Sequence, residues 1–148
     1  MANFLLPKAV ASAGLVDTGR WTTALIPESS LPLIDEHDIA VFTAAALEDQ
    51  VRFNRKEIEL AGELRNPEEI TSALSKASGR DIKAVYLTDR EVEAQKANPF
   101  VGAYLSLRDM HLYVDIEQVK SWGLRLGTFE EYLARKNDAV QKTYRFRA

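Results

Sequence analysis

Apolar and polar positions alternate along this chain in two different periods, and the switches between them mark its elements. Residues 21–26, Trp-Thr-Thr-Ala-Leu-Ile, are β-branched and aromatic and predict a strand. A turn over 27–30 leads to an extended piece over 31–35, where Pro32 confines it to an edge or a strand start. Asp38 reads as the N-cap of a helix to about Glu48, with Ile39, Phe42 and Ala46 at helical spacing. Residues 56–61 alternate polar and apolar and predict a half-buried strand. Asn66, Pro67, Glu68 and Glu69 open a helix whose inner stripe is Ile70, Leu74 and Ala77, and Gly79 stops it. Residues 81–87 form a further strand. Thr88 to Glu91 match a capping box, with a helix to about Ala97. Asn98-Pro99 breaks it, and Phe100, Tyr104 and Leu107 predict the next helix. Asp115 caps a short helix that ends at Gly123. Thr128 to Glu131 form a second capping box for a last helix with Phe129, Tyr132 and Leu133 inside.

Three or four strands among about five helices predict an α/β (α+β) fold with a small mixed sheet, part of it parallel. The 148 residues fit one domain. Residues 1–18 read as a short helix or irregular lead-in, closed by a turn at Asp17 to Arg20. The stretch from Asn137 onward reads as a loosely held tail carrying Lys142, Arg145 and Arg147. Lys and Arg number 19 against 22 Asp and Glu, so no basic footprint for nucleic acid is present. No apolar run approaches the roughly 18 residues of a membrane span. Cysteine is absent, which removes disulfides, thiolate metal sites and cysteine nucleophiles. Together with an N-terminus unlike a secretion signal, this gives the expectation of a cytoplasmic protein.

Few residues offer chemistry. His37 lies among Asp35, Glu36 and Asp38 and is a candidate proton shuttle; the alternative is a surface histidine at a strand-to-helix turn. Adjacent residues of a strand point to opposite faces and chelate poorly, so no metal site is expected there. If residues 99–112 are helical, Tyr104, Arg108 and His111 share one face at i, i+4 and i+7. They would then supply an acid, a cation and a base to a carbonyl or enol; the alternative is an amphipathic helix with a solvated Arg108. Trp21, Tyr86, Phe100, Trp122 and Phe129 read as core, with some available to line a pocket. No Gly-x-Ser-x-Gly elbow and no phosphate-binding loop occurs.

The order of many short pieces is more telling than any one of them. Gly19 to Thr23, then Leu31-Pro32-Leu33-Ile34-Asp35-Glu36-His37-Asp38-Ile39, then Glu57 to Leu64 and Pro67 to Ile70, resemble the NmrA-like family, an atypical branch of the short-chain dehydrogenase/reductases. The resemblance continues through Ala77 to Arg80, Trp122-Gly123 and Gly127 to Leu133. It is to the C-terminal, substrate-binding half of that family. Full-length members begin with a Rossmann unit whose glycine-rich turn holds a dinucleotide, and no such turn occurs among the seven glycines here. Typical members also carry a Tyr-x-x-x-Lys pair; Tyr132 and Lys136 have that spacing but on a terminal amphipathic helix, where the tyrosine reads as packed. The resemblance therefore implies a truncated protein without a cofactor. It places residues 99–112 near the substrate opening. It also implies that residues 21–26 and the helix after Asp38 lack the sheet they would pack against, so a homodimer is expected. The function this suggests is a cofactor-independent isomerase, cyclase or dehydratase of secondary metabolism. The alternatives are a non-catalytic regulatory or ligand-binding module, or a fragment of an NAD(P)-dependent reductase.

Overall fold

The computed structural model describes residues 1–5 and 14–144. Its helices are α1 (Leu15–Thr18), α2 (Glu36–Glu48), α3 (Gln50–Phe53), α4 (Pro67–Ser78), α5 (Asp89–Ala94), α6 (Pro99–Leu107), α7 (Ile116–Ser121), α8 (Phe129–Arg135) and α9 (Asn137–Tyr144). Its strands are β1 (Arg20–Thr23), β2 (Leu31–Leu33), β3 (Glu63–Arg65) and β4 (Lys83–Tyr86). Short 3₁₀ turns span Ala2–Leu5 and Met110–Tyr113. The class is α+β, but the sheet is divided in two. β1 and β4 run parallel, with Trp21 beside Ala84 and Thr23 beside Tyr86. β2 and β3 run antiparallel, with Leu31 beside Arg65 and Leu33 beside Glu63.

Helix α4 shows how local sequence sets local structure. The Asn66 side chain accepts the Glu69 amide at 2.8 Å, and the Glu69 carboxylate accepts the Asn66 amide at 2.9 Å. Pro67 occupies the first turn, where its missing N–H costs nothing, and Gly79 closes the helix in the left-handed region at φ 71. Ile70 and Leu74, one turn apart, are wholly buried. The same helix packs against β4, α8 and α9, so its apolar stripe sits at the centre of the core with Trp21, Phe129, Tyr132 and Leu133.

Several expectations are corrected. The extended segment over 56–61 is not a strand. Ile58 and Leu60 are half-buried between exposed Glu57 and Glu59, so the alternation is present, but no neighbouring strand pairs with it. The ladder starts later, where the Gly62 amide donates to Leu33 O at 2.7 Å. A Cβ at Gly62 would lie 2.9 Å from Gly127 O, so only glycine lets the chains approach there. The cap of α2 is Asp35, not Asp38: Asp35 Oδ1 accepts the His37 amide at 3.0 Å. Asp38 instead turns inward, and its Oδ2 accepts the Gly127 amide at 2.9 Å.

Both ends of the chain take part in the core. Phe4 packs edge-on against Trp21, with ring centroids 5.5 Å apart, and Leu15 and Val16 are buried. Of the two readings for this segment the short helix holds, as α1 and the 3₁₀ turn Ala2–Leu5, and both are packed rather than peripheral; residues 6–13 lie outside the described residues. The loosely held tail is replaced by α9 through residue 144, and Arg145 and Arg147 lie outside the described residues. Val140 and Tyr144, four apart, are buried on one face of α9. Tyr144 donates its hydroxyl to Phe4 O at 2.6 Å, and Gln141 donates to Ala77 O at 2.9 Å. This helix gives little sequence warning because only Lys136 separates it from α8, leaving no room for a separate start signal.

The parallel pair is covered on one side only. Trp21, Thr23, Ala84 and Tyr86 face the core and are buried or half-buried. Arg20, Thr22, Lys83 and Val85 face outward, and Val85 is 39% exposed. β1 is bonded to β4 and, among the described residues, to no strand on its other side. Parallel sheets are ordinarily covered on both faces.

Candidate functional site

Tyr104 and Arg108 reach toward β1 from α6 and its C-cap, and His111 follows in the chain that leaves the helix. Asn98 caps α6 by accepting the Phe100 amide at 3.0 Å, and Pro99 fills its first position. Buried Val101 seats the helix. One turn on, the Tyr104 hydroxyl accepts the Trp21 indole N–H at 3.0 Å, and the two rings meet edge to face at 6.2 Å. Helix α6 ends at Leu107, so the single face expected over 99–112 is interrupted. Arg108 is the C-cap, and its Nε donates to Ala24 O at 2.7 Å, just beyond the end of β1. His111 then lies in the 3₁₀ turn that packs on β2.

Two polar groups of these residues lack a protein partner among the described residues. Nδ1 of His111 is buried with no hydrogen-bond partner, which costs about 1–3 kcal/mol if nothing fills the place. Arg108 is half-buried and fixed through Nε, while its two Nη groups have no protein partner among the described residues. That is the geometry in which a guanidinium presents a fork to an anionic oxygen. The same stretch of chain carries exposed apolar side chains: Phe100 is 58% exposed, Leu112 71% and Tyr113 75%. Phe100 is thus corrected from core to surface.

His37 does not join this group. It is exposed on the first turn of α2, and its side chain makes no hydrogen bond or ion pair among the described residues. The carboxylates around it serve α8 instead. Asp35, 1% exposed, pairs with Arg135, and Glu36 pairs with Lys136 at 3.0 Å. Acids at the start of α2 thereby meet bases at the end of α8, each complementing a helix dipole. Burial pushes the Asp35 carboxyl up, but the His37 amide and the Arg135 guanidinium outweigh it and hold its pKa below the usual value. Tyr132, packed beside this clamp, is pushed up to about 12 by burial and by Glu36 and Asp35. Among the described residues no three His, Asp or Glu side chains converge as metal ligands.

The remaining aromatics divide between core and surface. Trp21 and Phe129 are buried. Tyr86 is half-buried and donates to Glu68. Trp122 stacks on Phe53 at 4.6 Å, beneath the Arg52 guanidinium. The anchors that pattern reading missed are Ala24, which contributes only a backbone carbonyl, and Trp21 in its role as a donor to Tyr104. No side-chain motif signals a carbonyl contact between residues 84 positions apart.

A family model for the NmrA-like family matches residues 1–133. The chain belongs to the NmrA-like family. No curated protein matches it. A nicotinamide dinucleotide is held where a strand turns into a helix whose free amides meet the pyrophosphate. The parallel pair offers one direct strand-to-helix turn, from β4 into α5. Its amides are taken by Thr88 and Glu91, which cap each other, and its first turn carries Asp89 and Glu91. Acidic side chains and occupied amides repel a pyrophosphate. The turn lacks glycine, so its backbone has no close approach to offer. The described residues of this NmrA-like chain do not build a dinucleotide site on their parallel strands. No helix among them is long and apolar enough to cross a membrane.

Proposed function

We propose that this NmrA-like chain is the substrate-binding, C-terminal part of the family fold acting on a small carbonyl compound without a nicotinamide cofactor. The reaction is of the isomerase, cyclase or dehydratase type, in the setting of secondary metabolism. One observation carries the reading: an unsatisfied, buried His111 Nδ1 stands three residues from a guanidinium that is locked at Nε and open at Nη. In an isomerisation, His111 takes the proton α to the carbonyl, and the electron pair moves onto the carbonyl oxygen, which the Arg108 Nη groups hold as an enolate. With a β,γ-unsaturated carbonyl the intermediate is a dienolate: His111 returns the proton at the γ-carbon, the double bond moves to the α,β position, and no electron is gained or lost. Tyr104 positions the helix through Trp21. The exposed Phe100, Leu112 and Tyr113 suit an apolar ligand body.

Proton exchange tests this without knowing the substrate. A panel of small β-dicarbonyl and aryl ketone compounds in heavy water is followed by NMR for deuterium entering the α-carbon. The protein should accelerate exchange of some members, and His111→Ala should lower the rate by roughly 10²–10⁴ with the fold intact. No acceleration by the wild-type protein, or equal acceleration by the variant, overturns the reading. A second reading, a fragment that completes a reductase or regulator with another chain, is favoured by the free edge of β1 and the bare face at Val85. Micromolar binding of NAD(P)H by the purified chain would displace the first reading in its favour.

A further inference from the structure

The hydrogen bonds of Tyr104 and Arg108 are incomplete within the protein, and what is missing has a definite form. The Tyr104 hydroxyl accepts the Trp21 indole N–H at 3.0 Å. An indole nitrogen only donates, so this contact uses an oxygen lone pair and leaves the hydroxyl proton to be given elsewhere. Among the described residues no acceptor takes it. Accepting one bond also polarises the hydroxyl and strengthens the bond it can donate.

Arg108 is half-buried, and its Nε donates to Ala24 O at 2.7 Å. That contact fixes the guanidinium and leaves the edge formed by its two Nη groups. Among the described residues no carboxylate pairs with it, and Asp109, next in the chain, is exposed. A guanidinium cannot shed its proton, so a half-buried one without a counter-ion favours an anionic ligand. The two residues belong together. Arg108, the C-cap of α6, still has helical backbone at φ -52 and ψ -43. Residues four apart on a helix are neighbours, with Cβ atoms roughly 6 Å from each other. Both side chains reach the β1 segment, at Trp21 and Ala24. Jointly they offer a positive charge, the two-Nη edge and one hydroxyl donor, and the ligand that answers them carries a negative charge and several oxygens.

We infer that Tyr104 and Arg108 bind a carboxylate set beside the reacting carbonyl, so that the ligand of this site is a 2-oxo acid. The inference rests on the function proposed above for placing the carbonyl at Arg108. The keto oxygen and one carboxylate oxygen of a 2-oxo acid lie along one planar edge and meet the two Nη groups as a fork. The other carboxylate oxygen accepts the Tyr104 proton. Three acceptors thus meet three donor groups.

Calorimetry on the whole chain tests this. The probe is benzoylformate, an aryl 2-oxo acid with no α-hydrogen, so its binding is read whether or not His111 moves a proton. It should bind roughly 10- to 100-fold tighter than methyl benzoylformate, which lacks the charge, and about tenfold tighter than phenylacetate, which lacks the keto oxygen. Arg108→Lys keeps the charge but not the fork, and should bring benzoylformate down to the level of phenylacetate. Tyr104→Phe, with circular dichroism unchanged, should weaken both acids about tenfold and leave the ester unchanged, because the hydroxyl serves the carboxylate. A general loosening of the fold would weaken all three alike, and that result overturns the role of Tyr104. Equal binding of the acid and its ester, no binding of the acid, or a preference for the keto acid that survives Arg108→Lys overturns the inference. Tight binding of benzoylformate without α-proton exchange on any ketone would instead overturn the proposed reaction and leave the ligand class standing.

Discussion

Asp35 performs two tasks that substitution can separate. Its carboxylate caps α2 through the His37 amide and also receives the Arg135 guanidinium from α8. Asp35→Asn keeps a capping side chain and removes the charge; Asp35→Ala removes both. A hydrogen bond to a charged group contributes about 1.5–3 kcal/mol, and the 46% exposure of the Arg135 side chain puts this pair at the lower end. The cap contributes about 1 kcal/mol. Asp35→Asn should therefore cost about 1.5 kcal/mol and Asp35→Ala about 2.5 kcal/mol. At roughly 3 °C per kcal/mol for a chain of this length, Tm should fall by about 4 and 8 °C. The pH dependence supplies an independent check. The folded pKa of Asp35 lies below its unfolded value, so its charge stabilises the fold above that unfolded value of about 3.9. That contribution is lost as pH falls through the folded pKa. The gap between wild type and Asp35→Asn, read by urea unfolding with circular dichroism, should be flat from pH 7 to about 4 and close below it. Equal stability of the two at pH 7, or a gap that persists to the lowest pH, would refute the reasoning.

Other outcomes follow from single contacts. Asn66→Ala should destabilise by about 1 kcal/mol and Asn66→Asp by much less, since both halves of the α4 capping box run through that side chain. Tyr144→Phe should cost about 1–2 kcal/mol in urea unfolding, because Phe4 O loses its buried donor. The Tyr132 hydroxyl, raised to about 12, should stay un-ionised in the fold as unfolded tyrosine ionises near 10, so its share of stability is lost as pH rises through that window. Ultraviolet difference titration reads it. Trp21→Phe should retain much of the core volume but release the Tyr104 hydroxyl, lowering stability by about 1–2 kcal/mol and freeing α6 to exchange its amides faster.

Legibility followed the range of the interactions. The boxes at Thr88–Glu91 and Thr128–Glu131 are closed by residues three apart and appear as the local pattern predicts, and the predicted cap at Asn66 proves to be a third such box with Glu69. The cap of α2 was misplaced by three residues because Asp35 and Asp38 are equivalent locally. What separates them is that Arg135 and Gly127, about a hundred positions away, reach one and the other. Residues 56–61 have a strand's alternation, yet a ladder requires a partner, and β2 offers its edge only from Gly62 onward. At the candidate site, spacing put Tyr104 and Arg108 one helical turn apart, and each reaches a residue of the β1 segment. The interruption of α6 after Leu107, and the orphaned nitrogen of His111, depend on what packs around them.

The amino-acid order alone determined the α+β class, the capped helices and the NmrA-like character of the chain, because these rest on short-range hydrogen bonding, periodicity and the succession of segments. Tertiary packing alone decided that the ends of the chain enter the core, that the acids around His37 clamp α2 to α8, and that the Nη groups of Arg108 remain unpaired. Each of those depends on which side chains are removed from water by residues far along the chain, and burial is a property of the assembled molecule.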